Sequence, residues 1–210
     1  MSKKLYIGIS GLIGVGKTTL AKALEKDGWK AFFEPVDTNP YLELFYGDMV
    51  ENSFKMQIFL LRERFRQQQK IGLEECNVVQ DRTIYEDSVF ARMLNKSGHM
   101  TDLDLKTYLD LFDTLSSLMP RPNLIVYLEV EPEEALANIK KRGRFCEKGI
   151  TIQYLTALRD EYELFIKEIS RVVPVLRIKY SNFPSVESIV KAVQSGYDAS
   201  HNIIEAQLQN

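Results

Sequence analysis

Residues suited to binding phosphate occur near the start of the chain. The stretch GISGLIGVGKTTLAK, residues 8–22, contains the spacing G-x-x-x-x-G-K-[ST]. Its glycines allow backbone N–H groups to turn toward an anion, and the helix that follows directs its positive N-terminus there. The lysine would reach the β- and γ-phosphates and the threonine hydroxyl would ligate Mg²⁺. We therefore predict a loop that binds ATP through Gly11, Gly14, Val15, Gly16, Lys17, Thr18 and Thr19.

Charged residues follow two further apolar stretches. Glu34 comes directly after WKAFF, and Asp81 and Arg82 come directly after NVVQ. Ligands of doubly wound sheets bind outside the carboxyl ends of the strands, where a carboxylate can accept a proton from a hydroxyl that attacks a γ-phosphate. Asp81 is expected to hold a Mg²⁺-bound water, and Arg82 to restrain Glu34 or the developing charge. Glu34 alone fits a solvated strand end equally well, and Asp87 fits a first-turn carboxylate that stabilises a helix dipole.

A long helical pattern carries two polar residues beside its core face. In ENSFKMQIFLLRERFRQQQK, residues Phe54, Ile58, Leu61 and Phe65 recur at helical spacing. Gln57 and Arg64, seven residues apart, lie almost one above the other at the edge of that face. Their planar amide and guanidinium suit the edge of a nucleobase. The competing interpretation is that both are long side chains whose polar ends reach solvent.

A basic segment, IKKRGRFCEKG, follows a later helix. Arg142 and Arg144 flank Gly143, so the chain can bend while two guanidiniums approach phosphate. We call residues 142–150 the lid, and these two side chains the lid arginines. An ordinary basic helix end is the alternative, since cations there favour the helix dipole. Positive neighbours would also lower the pKa of the Cys146 thiol, although its position alone does not establish a reactive role.

Elements of a parallel sheet position these residues. Apolar stretches predict strands at 5–10, 29–33, 77–80, 123–130 and 174–180, and helical patterns occur near 18–27, 51–71, 84–95, 101–118, 132–141, 151–171 and 185–195. Strand and helix in alternation predict a five-stranded parallel α/β sheet with helices on both faces. We expect one domain over 1–197 and a C-terminal tail over 198–210.

Composition limits the classes of function. The 210 residues carry a net charge of -2, which provides no general attraction for nucleic acid, so a small-molecule substrate is favoured. Two cysteines outside any C-x-x-C pair exclude a disulfide framework and a cysteine-based zinc site. We see neither a signal peptide nor an apolar run long enough for a membrane span, and therefore expect a cytoplasmic enzyme.

Taken in order, these pieces resemble the deoxynucleoside kinase family, closest to bacterial deoxyadenosine/deoxyguanosine kinases and to deoxycytidine kinase. The resemblance runs from about Lys4 to Tyr180 and rests on GLIGVGKTT, FEPV with NPYLELFY, FKMQ, QDRT, the fourth strand and KRGRFCEK. It implies a P-loop kinase fold with an arginine-bearing lid. It also implies that ATP with Mg²⁺ phosphorylates the 5′-hydroxyl of a 2′-deoxynucleoside, in nucleotide salvage.

The resemblance assigns roles by position. It implies that Glu34 is the general base for the 5′-hydroxyl, that Arg82 holds this base and the 5′-oxygen, and that Gln57 binds the base edge. It further implies that Tyr46 contacts the 3′-hydroxyl with Glu147 as its partner, that Arg142 and Arg144 bind phosphate, and that Asp81 lies near Mg²⁺.

The pair Arg64 and Asp87 is similar to that of members that accept deoxyadenosine, deoxyguanosine or deoxycytidine, whereas thymidine-preferring relatives have apolar residues there. A buried Asp accepts from an exocyclic amine, which thymine lacks. We therefore expect a preference for purines, with deoxyadenosine first. Cys146, at an acidic position of many lids, resembles the deoxyguanosine kinase type instead. Asn138 replaces an arginine found in several relatives.

Two other functions share parts of this pattern. A nucleoside monophosphate kinase of the thymidylate type has the loop and a D-R element, but it would need an extra cation near Glu34 for its acceptor. A non-catalytic P-loop switch would leave the carboxylates at two adjacent strand ends unexplained. Family members are often homodimers through long helices, and segments 51–71 and 101–118 are candidates by that resemblance.

Overall fold

Strands and helices alternate in the computed structural model, which describes residues 4–36 and 38–179 and the backbone of residues 203–206. The strands are β1 Tyr6–Gly11, β2 Lys30–Phe32, β3 Val78–Asp81, β4 Leu124–Glu129, β5 Val175–Lys179 and β6 Ile203–Ala206. The helices are α1 Lys17–Lys26, α2 Leu42–Gly47, α3 Met49–Leu73, α4 Asp87–Lys96, α5 Asp102–Ser117, α6 Pro132–Arg142 and α7 Ile152–Ile169. Short 3-10 turns, Ile84–Glu86 and Phe145–Gly149, come before α4 and α7.

The strands form one parallel sheet in the order β2-β3-β1-β4-β5-β6. All residues of β1 and β3 are buried, as expected of strands covered on both faces. The prediction of a five-stranded parallel sheet flanked by helices is therefore confirmed, and a sixth strand that was not predicted extends the sheet at one edge. The sixth, β6, pairs with β5 and lies within the predicted tail 198–210. An edge strand of four residues is too short to produce a distinctive sequence pattern.

The predicted helices from 18 to 171 all form, with small differences at their ends. Helix α3 begins two residues early because the Asp48 side chain caps it, accepting a hydrogen bond of 3.1 Å from Glu51 N. The segment 84–95 begins as a 3-10 turn and becomes helical only from Asp87. The short helix α2 was not predicted, and the predicted helix 185–195 lies outside the described residues.

This topology brings the charged residues together. Parallel strands direct their carboxyl ends to one edge of the sheet, and Ile9 of β1 lies in register with Asp81 of β3. The loop after β1 and the turn after β3 are therefore neighbours, and the segment after β2 lies beside them. Among the described helices, none combines the length and the apolar character needed to cross a membrane.

Candidate active site

A pocket of about 440 Å³ opens at this edge. Its lining includes most of the predicted site residues: Gly14, Gly16, Lys17, Thr18, Thr19, Glu34, Tyr46, Gln57, Arg64, Arg82, Arg142, Arg144 and Glu147. The predicted residues Gly11, Val15, Asp81 and Asp87 are not part of that lining. The pocket therefore unites residues of elements and connecting segments that are far apart in the sequence.

The loop after β1 has the backbone that phosphate binding requires. Gly14 has φ +85°, and a Cβ there would lie 2.6 Å from Ala135 O, so the close approach of α6 admits only glycine. Gly16 has φ +99° and offers no side chain to cap α1, which leaves the N–H groups of that helix for a ligand. Lys17 Nζ donates to two loop carbonyls, Gly11 O at 3.1 Å and Leu12 O at 2.7 Å. Burial, with the charge of Arg82, lowers the pKa of Lys17 to about 7.

Thr18 and Asp81 form a pair that fits a divalent cation. Thr18 Oγ1 donates to Asp81 Oδ2 at 2.5 Å. The second oxygen, Asp81 Oδ1, is buried and has no hydrogen-bond partner among the described residues. Burial, with the charge of Glu34, raises the pKa of Asp81, and the charges of Lys17 and Arg82 offset this only in part. A hydroxyl and an unsatisfied carboxylate oxygen are the hard donors that Mg²⁺ prefers.

Glu34 lies between two buried arginines. Its Oε1 accepts from Arg64 Nη2 at 2.7 Å, and its Oε2 accepts from Arg82 Nε at 3.2 Å. Burial opposes ionisation, but the guanidiniums of Arg82 and Arg64 outweigh it and hold the pKa of Glu34 below its ordinary value. The contact with Arg64 was not predicted from the sequence, where Arg64 was considered only for the nucleobase. Glu34 is therefore an ionised carboxylate with a fixed orientation at the pocket wall.

Helix α3 supplies the polar wall of the pocket. Gln57 and Arg64 are both 2% exposed, and they line the pocket as their helical spacing predicts. Arg64 Nη1 also donates to Asp87, the first residue of α4. Burial, only partly offset by Arg64, raises the pKa of Asp87 to about 7. Asp87 thus lies behind Arg64, and its Oδ2 has no hydrogen-bond partner among the described residues.

The lid arginines pair with a carboxylate of their own segment. Glu147 Oε2 accepts from Arg142 Nη2 at 2.6 Å, and Glu147 Oε1 accepts from Arg144 Nη1 at 3.4 Å. Tyr46 lines the same part of the pocket, and burial raises the pKa of its hydroxyl, which keeps it a neutral donor. The thiol of Cys146 is not activated: burial and the charge of Glu147 raise its pKa, contrary to the expectation of a lowered value.

Some residues of the site were missed from the sequence. Buried Glu86 accepts hydrogen bonds from Ser10, from Arg82 Nη1 at 2.8 Å and from Tyr162 OH at 2.9 Å. The spacing of Glu86 four residues after Arg82 was a usable signal, because a helical turn brings such residues together. No sequence signal links Ser10 or Tyr162 to this cluster.

A phosphate-binding loop on a central parallel strand, facing an oriented carboxylate, defines a P-loop kinase. A family model described as deoxynucleoside kinase matches residues 7–196. The chain is 49% identical over 195 residues to the deoxyadenosine kinase of Dictyostelium discoideum, covering 92% of this chain and 80% of that protein. It is 38% identical over 203 residues to the deoxyadenosine/deoxycytidine kinase of Bacillus subtilis (strain 168), covering 92% and 93%.

Solved structures agree with this match. The deoxyadenosine kinase from M. mycoides with bound dATP superposes with a TM-score of 0.82 at 31% identity, covering 90% of this chain and 99% of that one. The chain therefore belongs to the deoxynucleoside kinase family, whose members use ATP to phosphorylate deoxynucleosides.

Proposed function

We propose that this enzyme transfers the γ-phosphoryl group of ATP to the 5′-hydroxyl of a 2′-deoxynucleoside, with Glu34 as the general base. The position of Glu34 carries the proposal: its carboxylate lines the pocket, is ionised, and is held at both oxygens by Arg64 and Arg82. A carboxylate so oriented accepts the hydroxyl proton as the oxygen attacks phosphorus in line. Orientation counts more than basicity here, because the transition state of phosphoryl transfer is loose.

Cations around the pocket stabilise the transferring group. Lys17 lies where the phosphate loop meets α1, Arg82 lies beside Glu34, and the lid arginines line the same pocket. The lid arginines contact Glu147, so a phosphate that they bind would replace that carboxylate as their partner. Glu147, once released, is free to act with Tyr46 on the 3′-hydroxyl.

Thr18 and Asp81 would hold Mg²⁺, since their donor oxygens fit it. The ion would neutralise charge on the phosphates of ATP. The chain itself supplies the hydroxyl of Thr18 and the two oxygens of Asp81, one of which is unsatisfied among the described residues.

For the acceptor we propose deoxyadenosine first, then deoxyguanosine or deoxycytidine. Gln57 and Arg64 present a planar amide and guanidinium to the pocket, and Asp87 fixes the orientation of Arg64 from behind. The names of the relatives support this order: the Dictyostelium relative is a deoxyadenosine kinase, and deoxyguanosine kinases match at 34% and 35% identity.

The test is to measure ADP formation with ATP and Mg²⁺ for deoxyadenosine, deoxyguanosine, deoxycytidine and thymidine, each at the same concentration. We expect turnover with purines and little with thymidine. A preference for thymidine would contradict the assignment of Gln57, Arg64 and Asp87 while leaving the kinase activity intact. Turnover only with a nucleoside monophosphate would contradict the acceptor itself. That alternative is not favoured, because the two described cations beside Glu34, Arg64 and Arg82, are each paired with two carboxylates.

We further propose that the enzyme is a cytoplasmic homodimer formed through α3 and α5. Exposed Leu103, Leu111 and Leu118 give α5 an apolar outer surface. Both helices carry exposed charges of opposite sign, namely Arg62 and Arg66 on α3, which pair with Glu63, and Asp110 and Asp113 on α5. A two-fold axis can set each basic stretch against the acidic stretch of the other copy.

Light scattering should give twice the chain mass for the wild type, and Leu111→Glu should give the monomer mass. A monomeric wild type would contradict the proposal.

A further inference from the structure

A buried cluster behind the pocket contacts Arg82 on the side away from Glu34. Glu86 is 0% exposed, and its Oε1 accepts from Arg82 Nη1 at 2.8 Å and from Tyr162 OH at 2.9 Å. Tyr162 OH also contacts Arg82 Nη1, and the hydroxyl of Ser10 contacts the second oxygen of Glu86. Both carboxylate oxygens of Glu86 therefore have a partner, and each of these partners is buried.

The backbone of Arg82 needs such support. Its φ of +69° is the only positive φ of a non-glycine residue in the part of the chain that the structure describes. A residue with a Cβ adopts this conformation only where its surroundings enforce it. Phe90 covers one face of the guanidinium at 4.8 Å, but an aromatic face fixes neither the rotation nor the direction of the N–H groups.

We propose that Glu86 and Tyr162 are positioning residues for phosphoryl transfer, acting through Arg82 on Glu34. A guanidinium is planar and rigid, so anchoring Nη1 at two oxygens fixes the direction in which Nε points. In this structure Nε points to Glu34 Oε2 at 3.2 Å, as a single hydrogen bond. This inference rests on the proposed role of Glu34 as the general base.

The cluster also limits how strongly Arg82 binds Glu34. Without the carboxylate of Glu86, Arg82 would be free to rotate and form a two-pronged pair with Glu34, which is the stronger geometry. Each oxygen of Glu34 already accepts one hydrogen bond, Oε1 from Arg64 and Oε2 from Arg82. A two-pronged pair would add a further hydrogen bond and leave less acceptor capacity for the 5′-hydroxyl proton. Sharing Arg82 between Glu34 and Glu86 therefore leaves the base oriented but accessible.

Single-turnover kinetics test the inference, with ATP and deoxyadenosine at saturation and the affinity for ATP measured separately. We expect Glu86→Gln to slow phosphoryl transfer at least about tenfold and Tyr162→Phe about fivefold, as loss of hydrogen bonds to a charged group implies. Affinity for ATP should stay within about twofold in both variants, since neither residue contacts the pocket. Tyr127→Phe is the matched control, because Tyr127 is buried beside Tyr162 but its hydroxyl contacts Glu163, at 3.5 Å.

The readouts separate a positioning role from a structural one. Loss of packing would lower the melting temperature and the ATP affinity together with the rate. Rates in both variants within twofold of Tyr127→Phe would overturn the inference, as would a fall in ATP affinity that matches the fall in rate. If Glu86→Gln does not fold, Tyr162→Phe alone decides the outcome. A wild-type enzyme inactive on every deoxynucleoside would instead contradict the proposed function.

Discussion

ATP binding should draw a proton from solution onto Lys17. In the structure, Lys17 Nζ donates to two neutral carbonyls, Gly11 O at 3.1 Å and Leu12 O at 2.7 Å. Burial, together with the charge of Arg82, therefore lowers the pKa of Lys17 from 10.5 to about 7. Phosphate oxygens beside Nζ would return the pKa toward its ordinary value.

The number of protons taken up follows from the lowered pKa of Lys17, about 7, and its ordinary value, 10.5. With a pKa of about 7, free Lys17 is about 90% neutral at pH 8 and about 10% neutral at pH 6. Uptake should therefore be about 0.9 proton per ATP at pH 8 and about 0.1 at pH 6. The bound state holds more protons above pH 7, so ATP affinity should fall as the pH rises, approaching about tenfold per pH unit.

Isothermal titration calorimetry measures this uptake. A non-hydrolysable ATP analogue with Mg²⁺ is titrated at pH 8 in HEPES and in Tris, whose ionisation enthalpies differ, and the dependence of the observed heat on the buffer gives the proton count. Lys17→Arg is the control, because a guanidinium stays charged at this pH. A proton count near zero for the wild type would refute the reasoning, and so would an equal count in Lys17→Arg.

Three further predictions concern single residues of the site. Glu34→Gln should lower kcat about a thousandfold, as loss of a general base implies, with ATP affinity in calorimetry within about twofold; wild-type turnover would remove the residue from that role. Glu147→Gln should release the lid arginines from their ion pairs. ATP binding should then tighten about two- to fivefold, and the KM for the deoxynucleoside should rise. An unchanged ATP affinity together with an unchanged KM would contradict the prediction. Gly14→Ala should weaken ATP binding at least about tenfold, because its Cβ would lie 2.6 Å from Ala135 O. Gly28→Ala is the control, because Gly28 has a similar φ of +90° but an added Cβ would have no atom within 4 Å. This variant should lower the melting temperature without changing the ATP affinity. Equal ATP affinity in the two variants would contradict the prediction.

The features that depend on short-range pattern were predictable. The phosphate loop, Glu34 after β2 and Arg82 after β3 could be located because each follows an apolar strand, and parallel strands bring such positions to one edge. Gln57 and Arg64 could be assigned to one wall because helical spacing fixes their direction.

The features that depend on side-chain reach between elements were not predictable. Arg64 contacts Glu34 across 30 residues, and Tyr162 contacts Arg82 across 80, and no periodicity encodes either contact. The positive φ of Arg82 also could not be predicted from the sequence, since arginine has no preference for that conformation. The pKa of Cys146 is raised by burial and by the charge of Glu147. The positive neighbours visible in the sequence predict the opposite direction.

Arg64 connects two proposed functions of the site, the recognition of the nucleobase and the orientation of Glu34. One guanidinium nitrogen contacts Asp87, which lies behind it, and the other contacts Glu34, at 2.7 Å. A nucleobase that fits poorly and displaces Arg64 would therefore also disturb Glu34, the proposed general base. Discrimination between nucleosides should then appear in the speed of the chemical step as much as in affinity, so an incorrect nucleoside can occupy the site and still be phosphorylated slowly.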